Sequence, residues 1–277
     1  MSKFVKKISL FLALALMVCS FSFPENDKVF AKTSRKDYGV FIGVTKLDYK
    51  KLGQYNQVVI DAEYFSRTQI KKLKKAGVKK VYSYLNIGSL EEFRSYYDKY
   101  KDLTLGDYEN WEGEHWMDVS SKRWQDFCVS KAKKLKAKGI DGMFIDNCDV
   151  YYQYKTDKTY KGLVKILSRI RQSGSKIIIN GGDSFVARRL KESKKKLFDA
   201  VNQECVYTRI DFSKKKFYKA KKSERAYFTK YLNRVKKAGV KVYVLEYSTS
   251  KKLTADSRKY AKKYGWGIYV ASKLELV

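Results

Sequence analysis

The chain has 277 residues, 44% of them hydrophobic, enough for one sizeable core and normal for a single α/β barrel. Its 60 Lys and Arg outnumber 29 Asp and Glu, for a formal net charge of +31, and it contains one histidine, His115. One histidine excludes multi-histidine metal centres and leaves a serine triad a single possible base. The charge attracts polyanions such as nucleic acid, anionic membrane or an acidic cell wall, although a solvated Lys-rich helical surface accounts for it equally well.

The N-terminus reads as a signal peptide over residues 1–31. Lys3, Lys6 and Lys7 precede the apolar run "ISLFLALALMVCSFSF", and "VFA" ending at Ala31 is a cleavage site. An uncleaved anchor is the rival reading. The segment carries four Lys against Glu25 and Asp27, leaving +29 on residues 32–277. That remainder reads as one domain, exported and extracellular, with no membrane span of its own. Its three cysteines, Cys128, Cys148 and Cys205, are too few for a disulfide framework and suit core burial.

Eight short apolar runs follow, at 38–43, 57–62, 79–87, 142–147, 176–180, 199–205, 240–247 and 266–271. Each is nearly continuous, as in a parallel sheet buried on both faces. Lys-rich amphipathic helices alternate with them and end at Gly77, Gly139, Gly174, Gly239 and Gly265, placed as left-handed residues just past the helix. Ser89 and Glu92 read as a capping box before "LEEFRSYY". Trp124, Cys128, Ala132 and Leu135 form one helical face, Leu163, Ile166, Leu167 and Ile170 a second, and Tyr227, Tyr231 and Val235 a third. Eight such units predict a single (β/α)8 TIM barrel. A doubly wound open sheet is the alternative, but "GVFIGVTKLDYKKLG" lacks its phosphate-loop glycines. The first unit has no long helix. Residues 100–121 read as a long irregular loop rich in aromatics and acids, of the kind that carries function.

In a barrel the C-terminal ends of the strands share the catalytic face. Those ends carry Asp61, Asn86, Asp146, Asn147, Asp149, Asn180, Glu204 and Glu246, and the loop adds Trp111, Glu114, Trp116 and Asp118. Clustered carboxylates without histidines suit glycoside hydrolysis, in which one carboxyl donates a proton and a second acts as nucleophile or base. An oxygen-ligated divalent metal is the competing reading, but "DNCD" is not a calcium loop. Trp111, Trp116, Tyr151 and Tyr152 favour a sugar, whose C–H faces stack on aromatic rings. We therefore expect no metal and no cofactor, with Asp146 as nucleophile or charge stabiliser and Glu204 as general acid/base. Asp149 is a backup acid or sugar binder, Glu246 could substitute for either acid, and Asp61 and Asp118 are assigned to substrate binding.

The blocks "VYSYLNIGSLEEFR", "WEGEHWMDV", "GIDGMFIDNCDVY" and "AVNQECVY" resemble the endo-α-1,4-polygalactosaminidase family, glycoside hydrolase family 114, and its bacterial relatives. The resemblance runs from about Asp37 to the C-terminus. It implies a (β/α)8 barrel, endo-acting hydrolysis of α-1,4-linked galactosamine polymers, and a catalytic pair that falls on Asp146 and Glu204. It also implies Tyr84, Asn86, Gly88 and Ser89, with Trp111, Glu114, Trp116 and Asp118, as pocket walls. Typical members often carry alanine where this chain has Asn86–Ile87. The expected partner is a polysaccharide containing galactosamine or N-acetylgalactosamine, with the basic surface facing an anionic cell wall and no specific nucleic acid. A non-catalytic barrel binding cell-surface polysaccharide is the alternative. The carboxyl separation discriminates: about 5 Å favours retention, about 6.5–9.5 Å inversion, and much more a binding protein.

Overall fold

The computed structural model describes residues 35–109, 111–193 and 196–277. The segment expected to be a signal peptide, residues 1–31, lies outside them. Eight parallel strands occur at the eight expected places: β1 (Lys36–Phe41), β2 (Tyr55–Ile60), β3 (Lys80–Asn86), β4 (Gly142–Asp146), β5 (Lys176–Asn180), β6 (Ala200–Glu204), β7 (Lys241–Tyr247) and β8 (Gly267–Ala271). Each strand pairs with the next in chain order. β1 meets β8 through side chains, and the segments just past the two strands share a backbone bond. The Phe41 and Tyr269 rings lie 5.2 Å apart, and the Gly43 N–H donates to the Leu276 carbonyl at 3.3 Å. The result is a nearly closed (β/α)8 barrel.

The helices that follow the first seven strands are α1 (Tyr49–Leu52), α2 (Arg67–Lys75), α3 (Lys122–Ala137), α4 (Asp157–Gln172), α5 (Asp183–Glu192), α6 (Lys222–Lys237) and α7 (Lys251–Tyr264), with further single turns at Tyr97–Tyr100 and Val150–Gln153. α1 is a single turn, which is why the first unit shows so little helical pattern. The five glycines expected past helix ends all have φ between 66° and 112°, a backbone that costs other residues roughly 1–2 kcal/mol. Among the described residues, no helix is long and apolar enough to cross a membrane.

Strand side chains alternate between two apolar clusters, and this alternation positions the site. Tyr82, Tyr84, Phe144, Ile178, Ala200, Tyr243, Leu245 and Tyr247 pack together inside the barrel. Their neighbours Val81, Leu85, Met143, Ile145, Ile177, Ile179, Val201, Val242 and Val244 pack outward under the helices. The helices supply Ile70, Leu73, Trp124, Cys128, Leu163, Ile166 and Val235 to the outer layer, all essentially buried, each apolar side chain worth roughly 1.5–3 kcal/mol. Inside, Tyr38 of β1 stacks on Tyr243 of β7 at 4.3 Å.

Three local expectations fail. Ser89 does not cap a helix: residues Ser89–Glu91 form a strand, and the buried Ser89 N–H donates to Asn86 Oδ1 at 3.0 Å. Much of the stretch read as irregular is a small antiparallel sheet, in which Glu114–Met117 runs between Ser89–Glu91 and Thr104–Asp107. Tyr227 is 56% exposed rather than part of the α6 core stripe, while Tyr231 and Val235 are buried. A hairpin of Thr208–Asp211 and Lys216–Lys219 after β6 was not anticipated.

Candidate active site

The inward positions at the strand ends are Asn86 on β3, Asp146 on β4, Asn180 on β5, Glu204 on β6 and Tyr247 on β7. One nitrogen joins the two acids. Asn180 Nδ2 donates to Asp146 Oδ1 at 2.9 Å and to Glu204 Oε1 at 2.8 Å. These two bonds cap the distance between the bonded oxygens at their sum, about 5.7 Å, short of the roughly 6.5–9.5 Å of an inverting pair. The orientation of Asn180 is fixed from below. Asn202 Nδ2 donates to Asn180 Oδ1 at 2.6 Å, and the Tyr38 hydroxyl donates to Asn202 Oδ1 at 3.1 Å. Turning Asn180 over would aim its carbonyl at two carboxylates. Tyr247 donates its hydroxyl to Glu204 Oε2 at 2.6 Å.

The residue after each acid has a left-handed backbone: Asn147 with φ 61° and Cys205 with φ 56°. Non-glycine residues adopt this region at a cost, and such strain gathers at functional sites. Asn147 is held in it from several sides. Its Nδ2 donates to Glu114 Oε1 at 2.8 Å and to the Ser89 hydroxyl. Asn86 Nδ2 donates to the same Glu114 oxygen at 3.0 Å. Gly88 allows the approach, since a Cβ there would lie 1.7 Å from the Asn147 carbonyl oxygen.

Burial is the largest influence on both acids. It pushes the Asp146 carboxyl well above the usual range, with the Glu204 charge adding and the Asn180 bond opposing. Burial also raises Glu204, against the bonds from Tyr247 and Asn180. Two carboxyls this close do not both ionise freely, and the pair titrates as a unit. Asp149, close by on the loop after β4, is raised to about 7 by burial, against the Gly182 N–H that it accepts at 2.9 Å. Burial raises Glu114 too, while its bonds from Ser89, Asn86 and Asn147 oppose. Tyr108, just past the Thr104–Asp107 strand, packs on Trp116 with ring centroids 4.1 Å apart and the planes tilted by 30°. Its phenol is raised by burial and then by the charges of Asp146, Asp149, Glu114 and Glu204.

Other sequence candidates are placed elsewhere. Asp61 is 3% exposed and bonded to Arg94 Nη1 at 2.7 Å. Arg94 also binds Glu63 at 2.9 Å and Glu91 at 3.2 Å, and the Tyr84 hydroxyl joins this cluster through Glu91 at 3.2 Å. Glu246 faces outward and is 1% exposed; its oxygens accept the Tyr207 and Thr208 N–H groups, each at 2.8 Å. Tyr151 and Trp116 are buried, Tyr151 against Tyr160 at 5.6 Å. Asp118 accepts the Ser120 N–H at 3.0 Å and pairs with Lys158 at 3.3 Å. Trp111 is 44% exposed and meets Phe212 of the hairpin edge-on at 6.1 Å. Sequence reasoning missed Tyr247, Asn202, Tyr38 and Tyr108. Stepping back by two from Glu204 would have found Asn202, and the same alternation on β7 selects Tyr247 over Glu246. Among the described residues, no three metal-binding side chains converge.

The glycoside hydrolase domain of PelA from Pseudomonas aeruginosa has a similar structure: TM-score 0.73 and 17% identity over 88% of this chain and 96% of that one. Ega3 from Aspergillus fumigatus, solved in complex with galactosamine, gives TM-score 0.66 and 17% identity over 88% and 93%. TtGalA, an α-galactosidase from Thermus thermophilus, gives TM-score 0.55 and 12% identity over 87% of this chain and 58% of that one. At these identities the likeness establishes the shared barrel. Comparison with curated proteins gives no match. The family model described as "Glycoside-hydrolase family GH114" matches residues 35–272. The chain belongs to glycoside hydrolase family GH114.

Proposed function

We propose that the protein is a retaining, endo-acting glycosidase that cleaves a galactosamine-containing polysaccharide, with Asp146 as nucleophile and Glu204 as general acid/base. The observation that carries this reading is the single amide nitrogen of Asn180 bonded to both carboxyls. A separation of no more than about 5.7 Å suits direct attack by one carboxylate and is shorter than the roughly 6.5–9.5 Å that an intervening water needs. It also favours catalysis over a barrel that only binds glycan. The reaction then runs in two displacements. Glu204 protonates the glycosidic oxygen as Asp146 forms the bond to the anomeric carbon. Glu204, now ionised, takes a proton from the water that releases the sugar.

The substrate class follows from family membership, from the galactosamine bound in the similar Ega3 structure, and from charge. Residues 107–118 carry Asp107, Glu109, Glu112, Glu114 and Asp118 with no Lys or Arg. Screening confines the repulsion from the +31 chain to about 8 Å at physiological salt, so this acidic segment governs approach to the mouth. An ammonium beside the anomeric carbon also favours the working state. A cation next to Asp146 stabilises its anion, which leaves the proton of the pair to Glu204. The apolar N-terminal run supports an extracellular site of action, and the basic surface supports residence on an anionic wall.

The test is hydrolysis of partly deacetylated α-1,4-galactosaminan followed by NMR of the first product anomer. A product with the α configuration at its new reducing end supports the proposal. Initial β product, or full activity in both Asp146→Asn and Glu204→Gln, overturns it.

A further inference from the structure

A groove of about 750 Å³ lies away from the strand ends, between α6 and α7. Lys222, Arg225, Lys230, Arg234 and Lys237 line it, with Thr229, Asn233, Tyr260 and Tyr264, and no acid does. Acidic and basic side chains pair widely elsewhere, as in Arg123 with Asp102 at 2.7 Å and Arg188 with Asp157 at 2.8 Å. None of the five groove cations makes such a pair among the described residues. Lys222, Lys230, Arg234 and Lys237 are exposed. Solvation alone scatters charges over a helix surface; here they share one concave wall.

The dimensions indicate an extended ligand. From Lys222 to Lys237 the α6 row runs about 22 Å at 1.5 Å per residue, enough to meet several successive charges and too long for one small anion. The far wall narrows the chemistry. Its aromatic rings are already engaged: Tyr264 stacks on Trp266 at 4.8 Å, Tyr260 packs on Tyr207 at 5.0 Å, and the Tyr260 hydroxyl is bonded to Thr229 at 2.8 Å. Free ring faces, which single-stranded nucleic acid uses for base stacking, are therefore scarce. The Asn233 amide remains as a partner for hydroxyl groups, and a concave groove does not fit a flat bilayer. We propose that this groove binds a linear phosphodiester polymer with a polyol backbone, of the kind that lines an anionic cell wall. The bound polymer holds the barrel on a surface while the acidic mouth is left to the glycan.

The experiment measures binding of the full chain to lipid-free poly(glycerol phosphate) across a salt series. Five phosphate contacts at about 0.7 released counterions each predict a slope of log affinity against log salt of about −3.5. K230E/R234E is expected to weaken binding at least tenfold and flatten that slope by about 1.4, with hydrolysis of soluble glycan unchanged. K71E/K75E removes the same charge from exposed sites on α2 and is expected to leave binding within twofold. Equal loss in both variants would mean that net charge alone acts and would overturn the groove. So would tenfold tighter binding to single-stranded DNA of equal phosphate number, or to phosphatidylglycerol vesicles.

Discussion

The ends of β6 and β7 carry two glutamates on adjacent strands, and the fold uses them oppositely. Glu204 faces the barrel axis. Its partners are side chains, Asn180 and Tyr247, and it shares the Asn180 amide with a second acid. Glu246 faces the helix layer. Its partners are the Tyr207 and Thr208 N–H groups and the Thr208 hydroxyl, so it ties down the turn that leaves β6. Burial raises both carboxyls, Glu246 to about 7. Burial and a shifted pKa therefore do not mark a reactive acid; the side of the strand and the kind of partner do.

The comparison breaks most visibly if the two positions respond alike. Glu204→Gln and Asp146→Asn are expected to lower kcat by about 10³–10⁴, the range for lost acid/base or nucleophilic action, with thermal unfolding near the parent. Asn180→Leu is expected next, at about 10²-fold in kcat, because it removes hydrogen bonds worth roughly 1.5–3 kcal/mol each to charged groups. KM should change little, since the substrate still meets both acids. Glu246→Gln should do the reverse. It sets an amide N–H against backbone donors, costs about 1–3 kcal/mol in denaturant unfolding, and leaves activity per folded molecule within tenfold. It should also change the pH dependence of stability. A folded pKa of about 7 against an ordinary 4.5 means the folded state binds the extra proton, so this group's contribution to stability falls as pH rises from about 4.5 to about 7. In Glu246→Gln that part of the slope should vanish.

Much of this was legible in the chain, for identifiable reasons. Buried parallel strands must be apolar on both faces, and helices that end at a left-handed residue must end at glycine, so strands and helix ends could be placed to within a few residues. Asp146 stood out because it interrupts the apolar run "GMFID". Facing was harder to read. Asp61 and Glu246 have the right chemistry at strand ends, but Arg94 and two backbone amides claim them. Trp116 and Tyr151 are the right residue types for a sugar platform but sit in packing. Nothing local to residues 100–121 announces that 114–117 pairs back onto 89–91, because that pairing is long-range. Asn202 and Tyr38 were overlooked because their role is to orient Asn180, a relation between three strands.

The smallest expected effect gives the finest distinction, because it reports which acid does what. The Tyr247 hydroxyl donates to Glu204 Oε2 at 2.6 Å, and a donor to a carboxylate favours the charged form. Tyr247→Phe removes that donor without removing the ring, so the Glu204 pKa should rise, by about one unit for a hydrogen bond worth about 1.4 kcal/mol. If Glu204 must be protonated to donate to the glycosidic oxygen, it dominates the alkaline limb of kcat/KM, and that limb should move to higher pH by more than the acid limb. The plateau should fall by no more than about tenfold. If Glu204 were instead the nucleophile, it would set the acid limb, and the same substitution would carry that limb upward. Measuring both limbs in Tyr247→Phe therefore separates the two roles within a pair whose shared amide makes them nearly symmetric.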